Sequence, residues 1–132
     1  MEATEKQYKI IIVDDDDFLV DMYATKFDHS GVSVDVCKSG EVLLEKLRAG
    51  VKSDLILLDI VMPNMDGIEV LRVMRKDKLG EGIPVVMLTN QNDEKDIGES
   101  KKLGITSYIV KAVATPSEVV SEVIGVIKNS HT

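Results

Sequence analysis

Short aliphatic runs recur at even intervals along the chain, at Lys9–Val13, Val32–Val36, Leu55–Leu58, Val85–Leu88 and Ser107–Val110. Runs of this length, bounded by turn residues, predict strands buried on both faces. Between them the apolar positions change to a helical period. Leu19, Met22, Tyr23 and Phe27 line one side of a helix predicted over about Asp17–Asp28. Strands alternating with helices in this way predict repeated strand-helix units around a parallel sheet, an α/β fold.

The helix ends carry chemical signals of their own. A second helix is predicted from near Ser39 to Gly50, a residue suited to the left-handed position that closes a helix. A third starts at Asp66, with Glu69 placed to complete a capping box. A fifth starts at Thr115-Pro116-Ser117-Glu118, again a capping box, with Pro in the first turn. The fourth, over about Asp93–Leu103, is the least specified: Ile97 and Leu103 are its main apolar anchors, and Gly98 costs it about 1 kcal/mol. It is the segment expected to move. The fifth helix carries Val119, Val120, Val123, Ile124, Val126 and Ile127, an arc wider than the roughly 100° stripe of a one-sided helix. One edge of it is expected to stay exposed for a partner or a second copy. The first seven and last four residues are expected to be loose, around a core of about 8–128.

At 132 residues, 44% of them hydrophobic and 30% charged, the chain reads as one domain spanning 1–132. A formal charge of −7 argues against direct nucleic-acid binding, which needs a basic face, and favours cations or basic proteins. Lone Cys37 fits a reducing cytosol and reads as a small apolar residue beside a strand. The opening MEATEKQ has no apolar core, and no stretch approaches a membrane span, so a cytoplasmic location is expected and no membrane partner. His29 and His131 lack ligand-spaced companions and read as surface residues, and the six Met residues as core fillers.

Candidate chemistry lies where the strands end. The first runs into Asp14-Asp15-Asp16-Asp17 and the third into Asp59, at the carboxyl edge where helix-flanked parallel sheets bind ligands. Two carboxylates about 4 Å apart repel by roughly 4 kcal/mol at an effective dielectric near 20. Such a crevice invites a divalent cation, and hard, oxygen-seeking Mg²⁺ suits it. Asp16 and Asp17 are read instead as helix-start charges favoured by the helix dipole. Thr89 follows the fourth strand and Lys111 the fifth. Carboxylates, a hydroxyl and an ammonium on one edge are the parts needed for phosphoryl transfer to an aspartate. Asp59 is the candidate nucleophile, bridged by Mg²⁺ to phosphoryl oxygens, with Thr89 and Lys111 binding the remaining oxygens.

The ordered motifs VDD after the first strand, LLDIVMPNMDG around the third, LT after the fourth and YIVK after the fifth resemble those of the response-regulator receiver domains of two-component signalling, including the single-domain chemotaxis regulator. The resemblance implies a doubly wound, flavodoxin-like five-stranded sheet of order 2-1-3-4-5. It implies that Asp14 and Asp15 hold Mg²⁺ directly or through water, that Asp59 accepts the phosphoryl group, and that Val61 lends a backbone carbonyl to the metal. Thr89 would move towards the phosphoryl group, Lys111 would be its cationic partner, and the rotamer of Tyr108 would follow phosphorylation. The implied partners are a histidine kinase or phosphotransfer protein as donor and a downstream protein target, with a homodimer through the fourth and fifth helices as a further possibility. A self-catalysed phosphoacceptor of this kind is not an enzyme with a separate substrate. Pro63, Asn64, Asp66 and Gly67 fit a turn and helix cap. Three departures from the family pattern stand out: Ala112 replaces the usual Pro after Lys111, Asn90 replaces a very small residue after Thr89, and Val61 and Gln91 occupy positions that tune phosphate loss.

Other readings fit less well. A Mg²⁺-dependent phosphohydrolase of the haloacid-dehalogenase type would carry Asp-x-Asp-x-Thr after its first strand, and the chain has neither that Thr nor room for a cap domain. A flavin module would need a Ser/Thr/Gly-rich phosphate loop where four acids stand. A scaffold that has lost phosphorylation would have no use for the retained Asp59, Thr89 and Lys111.

Overall fold

The structure is a computed structural model that describes residues 7–90 and 94–130. Strands β1 (Tyr8–Val13), β2 (Val32–Cys37), β3 (Leu55–Asp59), β4 (Val85–Thr89) and β5 (Ser107–Val110) form one sheet of order β2-β1-β3-β4-β5. Every neighbouring pair is parallel. This is the doubly wound order that the resemblance implied. Helices α1 (Asp17–His29), α2 (Gly40–Arg48), α3 (Gly67–Lys76), α4 (Glu94–Lys102) and α5 (Pro116–Ser130) connect and follow the strands.

Successive strand residues face opposite sides of a sheet, and here both sides are apolar. Ile10, Ile12, Leu55, Leu57, Val86 and Leu88 pack with Val20, Tyr23 and Phe27 of α1 and Val119, Val123 and Ile127 of α5. Ile11, Val13, Ile56, Leu58, Val85 and Met87 pack with Leu43 and Leu47 of α2 and Val70, Leu71 and Met74 of α3. The runs Ile10–Val13, Leu55–Leu58 and Val85–Leu88 lack a polar alternate residue because neither face meets water, whereas the edge strand β2, expected to be buried on both faces, carries exposed Ser33 and half-buried Asp35.

Local chemistry sets the helix starts. Asp66 and Glu69 form the reciprocal capping box of α3, and Thr115 and Glu118 that of α5, at 2.8 and 3.1 Å. Asp16 caps α1 by accepting from the Phe18 and Leu19 amides, and Asp17 pairs with Lys38, so both act as the helix-start charges expected of them. Gly50 takes the left-handed φ of +86° after α2. His29 is exposed, while Met62, Met74 and Met87 are buried.

Several boundaries differ from expectation. Tyr8 joins β1, and Cys37, buried and free, is the last residue of β2 rather than beside it. Asp59 and Thr89 are the last residues of β3 and β4 rather than the first beyond them. Asn129 and Ser130, expected to be loose, are helical, and the Ser130 hydroxyl donates to the Val126 carbonyl at 3.0 Å. The predicted start of α4 at Asp93, Gln91, His131 and most of the predicted loose termini lie outside the described residues. The apolar arc of α5 leaves no exposed edge: Val119, Val120, Val123 and Ile127 are buried, and Ile124 and Val126 are half-buried against the same core. No described helix is long and apolar enough to cross a membrane.

Candidate active site at the carboxyl edge of the sheet

Because β1 and β3 are neighbours with Val13 opposite Leu58, Asp14 and Asp59 emerge side by side. The Asp14 amide extends the sheet ladder by donating to the Cys37 carbonyl at 3.1 Å, which draws its side chain inward. Asp14 is 1% exposed and Asp59 3% exposed, while Asp15 faces solvent. One carboxylate oxygen from each of Asp14, Asp15 and Asp59 lies within 4.8 Å of the others, a grouping able to hold a metal ion. Oxygen donors of this charge and spacing suit Mg²⁺.

Lys111 follows β5, and its amide donates to the Thr89 carbonyl at 2.7 Å. Its ammonium reaches across the sheet edge, donating to Asp14 Oδ2 at 3.2 Å and standing 3.4 Å from Asp59 Oδ1. Thr89 is buried beside it at the end of β4. The structure brings together Asp14, Asp15, Asp59, Thr89 and Lys111, the groups that sequence reasoning named, but that reasoning missed that Lys111 pairs with Asp14. That contact spans 97 positions and leaves no local sequence signal.

One ammonium does not balance this cluster. Burial, followed by the nearby Asp14 carboxylate, raises the Asp59 carboxyl from 3.8 to about 7, with Lys111 acting in the opposite direction. Burial alone would lower the Lys111 ammonium, but Asp59 and Asp14 outweigh it and raise it above the ordinary lysine value. Asp59 Oδ1 is the buried side-chain oxygen that accepts no hydrogen bond among the described residues. Leaving such an atom unsatisfied carries a cost, and a ligand or ion able to complete its shell would remove it. Tyr23, read from sequence only as a core position, lies beneath the site; burial raises its hydroxyl, and Lys111 opposes the shift.

Gly67 determines how closely α3 approaches the site. Its amide donates to the Ile60 carbonyl at 2.8 Å, and a Cβ there would lie 2.3 Å from the Asp59 carbonyl oxygen. Asn64 adopts φ +71° in the same connection, so the residues assigned to the turn and cap do build them. The side chain of Val61 is 61% exposed. Tyr108 is half-buried under the Lys101 ammonium, 5.6 Å from the ring centre, in a groove of about 280 Å³ with Glu94, Ile97 and Gly98. The Lys111–Ala112 peptide is trans, since the described residues contain no cis bond.

Residues 10–123 match the response regulator receiver domain. The chain belongs to that family. It is 35% identical over 123 residues to the alkaline phosphatase synthesis transcriptional regulatory protein PhoP of Bacillus subtilis, covering 93% of this chain and 50% of that protein. It is 36% identical over 115 residues to the DNA-binding response regulator MtrA of Mycolicibacterium smegmatis, covering 87% and 48%. The chain therefore spans about half the length of the curated relatives it matches. Among solved structures it is similar to the receiver domain of Francisella response regulator 1452, with a TM-score of 0.82 at 27% identity over 93% of this chain and 98% of that one. The Vibrio cholerae chemotaxis protein CheY4 is similar at a TM-score of 0.82 and 26% identity, covering 92% and 99%.

Proposed function

We propose that this receiver domain accepts a phosphoryl group on Asp59 from a histidine kinase or phosphotransfer protein and changes its binding to a downstream protein. The observation that carries the reading is Asp59 Oδ1, buried without a hydrogen-bond donor inside a cluster of two more carboxylates and one ammonium. A carboxylate oxygen of Asp59 forms the new P–O bond as the donor's P–N bond breaks, and the departing imidazole keeps the electron pair and takes up a proton. Lys111 stands where it can pair with a phosphoryl oxygen, and Thr89, at the adjacent strand end, can offer its hydroxyl to another. Asp14, Asp15 and Asp59, with the backbone carbonyl of Val61, would hold Mg²⁺. When bound, the ion supplies charge neutralisation at the phosphoryl oxygens. The phosphoryl group taken from the donor ends on the chain itself rather than on a released product, so we do not class it as an enzyme.

A donor must come close to a carboxylate that is almost fully buried, and the rim is suited to protein contact. Phe18, Val61 and Val113 are 76%, 61% and 79% exposed, and each lies within four residues of Asp14, Asp59 or Lys111 in the chain. Scattered exposed apolar residues are ordinary, but their clustering at one edge favours a docking surface. On the output side, the groove under Lys101 and Tyr108 supports the reading that α4 and β5 present the phosphorylation-dependent surface. The −7 charge gives no ground for assigning direct nucleic-acid contact to these residues. A cytosolic setting suits the free, buried Cys37 and the kinase partner.

The test is incubation with acetyl phosphate and Mg²⁺, followed by intact-mass measurement. One hydroxylamine-labile phosphoryl group per chain is expected, absent in Asp59→Asn. Equal labelling of that variant would overturn the assignment.

A further inference from the structure

The charged groups of the site continue the pleat of the strands beneath them. Successive strand residues face opposite sides of a sheet, and Asp14 and Lys111 extend the ladders of β1 and β5 through their amides, bonded to Cys37 and Thr89. Asp14, Asp59 and Lys111 therefore stand just beyond Ile12, Leu57 and Ile109, on the face of the sheet that α1 and α5 cover. Tyr23 of α1 packs in that same cluster and is 3% exposed. Long side chains of a helix lean towards its start, and α1 starts at the site, where the Asp16 amide donates to Asp14 Oδ1 at 2.9 Å. The Tyr23 ring thus carries its hydroxyl up towards the crevice. Burial keeps that hydroxyl protonated, and of the charges acting on it Lys111 comes first, then Asp14 and Asp59. Among the described residues it has no hydrogen bond. Lys111 has the complementary lack. Its ammonium carries three donors and is 11% exposed, yet its hydrogen bond among the described residues is the one to Asp14 Oδ2.

We propose, resting on the phosphoacceptor reading of Asp59, that Tyr23 is a positioning residue for Lys111: its hydroxyl oxygen accepts an ammonium N–H when Lys111 turns from Asp14 to the phosphoryl group. A lysine ammonium is a point charge on a flexible stem, so a single contact leaves its direction open. Charge that develops during transfer is stabilised best by donors already held in place. A second, rigid partner on the floor of the site supplies that hold. Before the phosphoryl group arrives the hydroxyl does nothing for stability, because a buried polar group without a partner is a cost.

The experiment compares the whole chain with Tyr23→Phe, which keeps the ring and removes only the hydroxyl. In Mg²⁺ the variant should be labelled by acetyl phosphate about tenfold more slowly and bind beryllofluoride about tenfold more weakly, the size of one hydrogen bond to a charged group. It should melt no lower than the parent in EDTA and bind Mg²⁺ alone as the parent does, which a residue that merely packs would not combine with slower labelling. In a Lys111→Met background, Tyr23→Phe should slow labelling no further, since the partner is gone; if Lys111→Met does not fold, the comparison of labelling, melting and Mg²⁺ binding in Tyr23→Phe still decides. Labelling of Tyr23→Phe at the parent's rate would overturn the role of Tyr23 and leave the phosphoacceptor reading standing. Slower labelling matched by lower melting and weaker Mg²⁺ binding would overturn it too, as would an equal loss in the Lys111→Met background. A parent that neither takes up label nor binds beryllofluoride would instead overturn the phosphoacceptor reading, and the role of Tyr23 with it.

Discussion

Replacing Asp59 with Asn should stabilise the metal-free protein, although it removes the proposed phosphoacceptor. Burial and the Asp14 carboxylate raise Asp59 from 3.8 to about 7, so the folded chain binds this proton more tightly than the unfolded chain does. Below about pH 4 both states are protonated and the site costs nothing. The cost grows as pH rises towards 7 and is complete above it, where both states are ionised. A displacement of about three pH units corresponds to about 4 kcal/mol, which is a ceiling. The Asn amide still lacks donors at this position, but Lys111 keeps Asp14 at 3.2 Å and is not orphaned. We therefore expect a net gain of about 2 kcal/mol at pH 8, or roughly 6 to 10 °C in melting temperature for a domain of this size. Thermal unfolding of parent and variant in EDTA at pH 8 and pH 4, at constant ionic strength, measures it. The gap should be present at pH 8 and largely closed at pH 4. A variant that melts at or below the parent at pH 8, or a gap of the same size at both pH values, would refute the reasoning.

Three further outcomes follow from the same geometry. Asp15→Ala removes the solvent-facing carboxylate of the cluster and should weaken Mg²⁺ binding at least roughly tenfold, about 1.4 kcal/mol, with the fold intact; an unchanged Mg²⁺ titration counts against the metal site. Lys111→Met leaves Asp14 and Asp59 without their shared cation and should cost about 3 to 5 kcal/mol near neutral pH, with much of the loss recovered in acid, where Asp59 is protonated; urea titrations at both pH values compare the two. Gly67→Ala places a Cβ 2.3 Å from the Asp59 carbonyl oxygen, and the backbone shift it forces should destabilise by at least about 1 to 3 kcal/mol; denaturation at the parent's midpoint without loss would mean that α3 is not held as closely as described.

The parts of this fold that were legible in sequence share a physical cause. A strand buried on both faces must be apolar at every position, so Ile10–Val13 and Leu55–Leu58 announce themselves. Capping boxes are local, so Asp66 with Glu69 and Thr115 with Glu118 could be placed to the residue. The strand order was not in the periodicity and came with the family motifs. What stayed hidden was pairing at long range. Nothing near Lys111 points to Asp14, and nothing near Arg75 points to Leu103. The arc of α5 misled for a related reason: sequence shows how many apolar residues a helix has, but not that Ile124 and Val126 are half-buried against the core that α5 shares with α1 and the sheet. Phe18 and Val113 were passed over because an exposed apolar residue breaks no local rule.

The strand order also divides the chain in time. Because β1 lies between β2 and β3, the first three strands and their two helices form a contiguous patch of sheet before β4 and β5 are added at one side. The later elements include α4, which offers the core little beyond Ile97 and Ser100, and a four-residue edge strand. Cooperative units of this sort open at different free energies, so β5 and α4 should unzip first while the N-terminal patch stays closed. If α4 and β5 present the phosphorylation-dependent surface, as proposed, the part of the domain that a partner reads is also the part that a protease or a quality-control chaperone would find first, and a partner that settles on it would lengthen the protein's survival as well as reading its state.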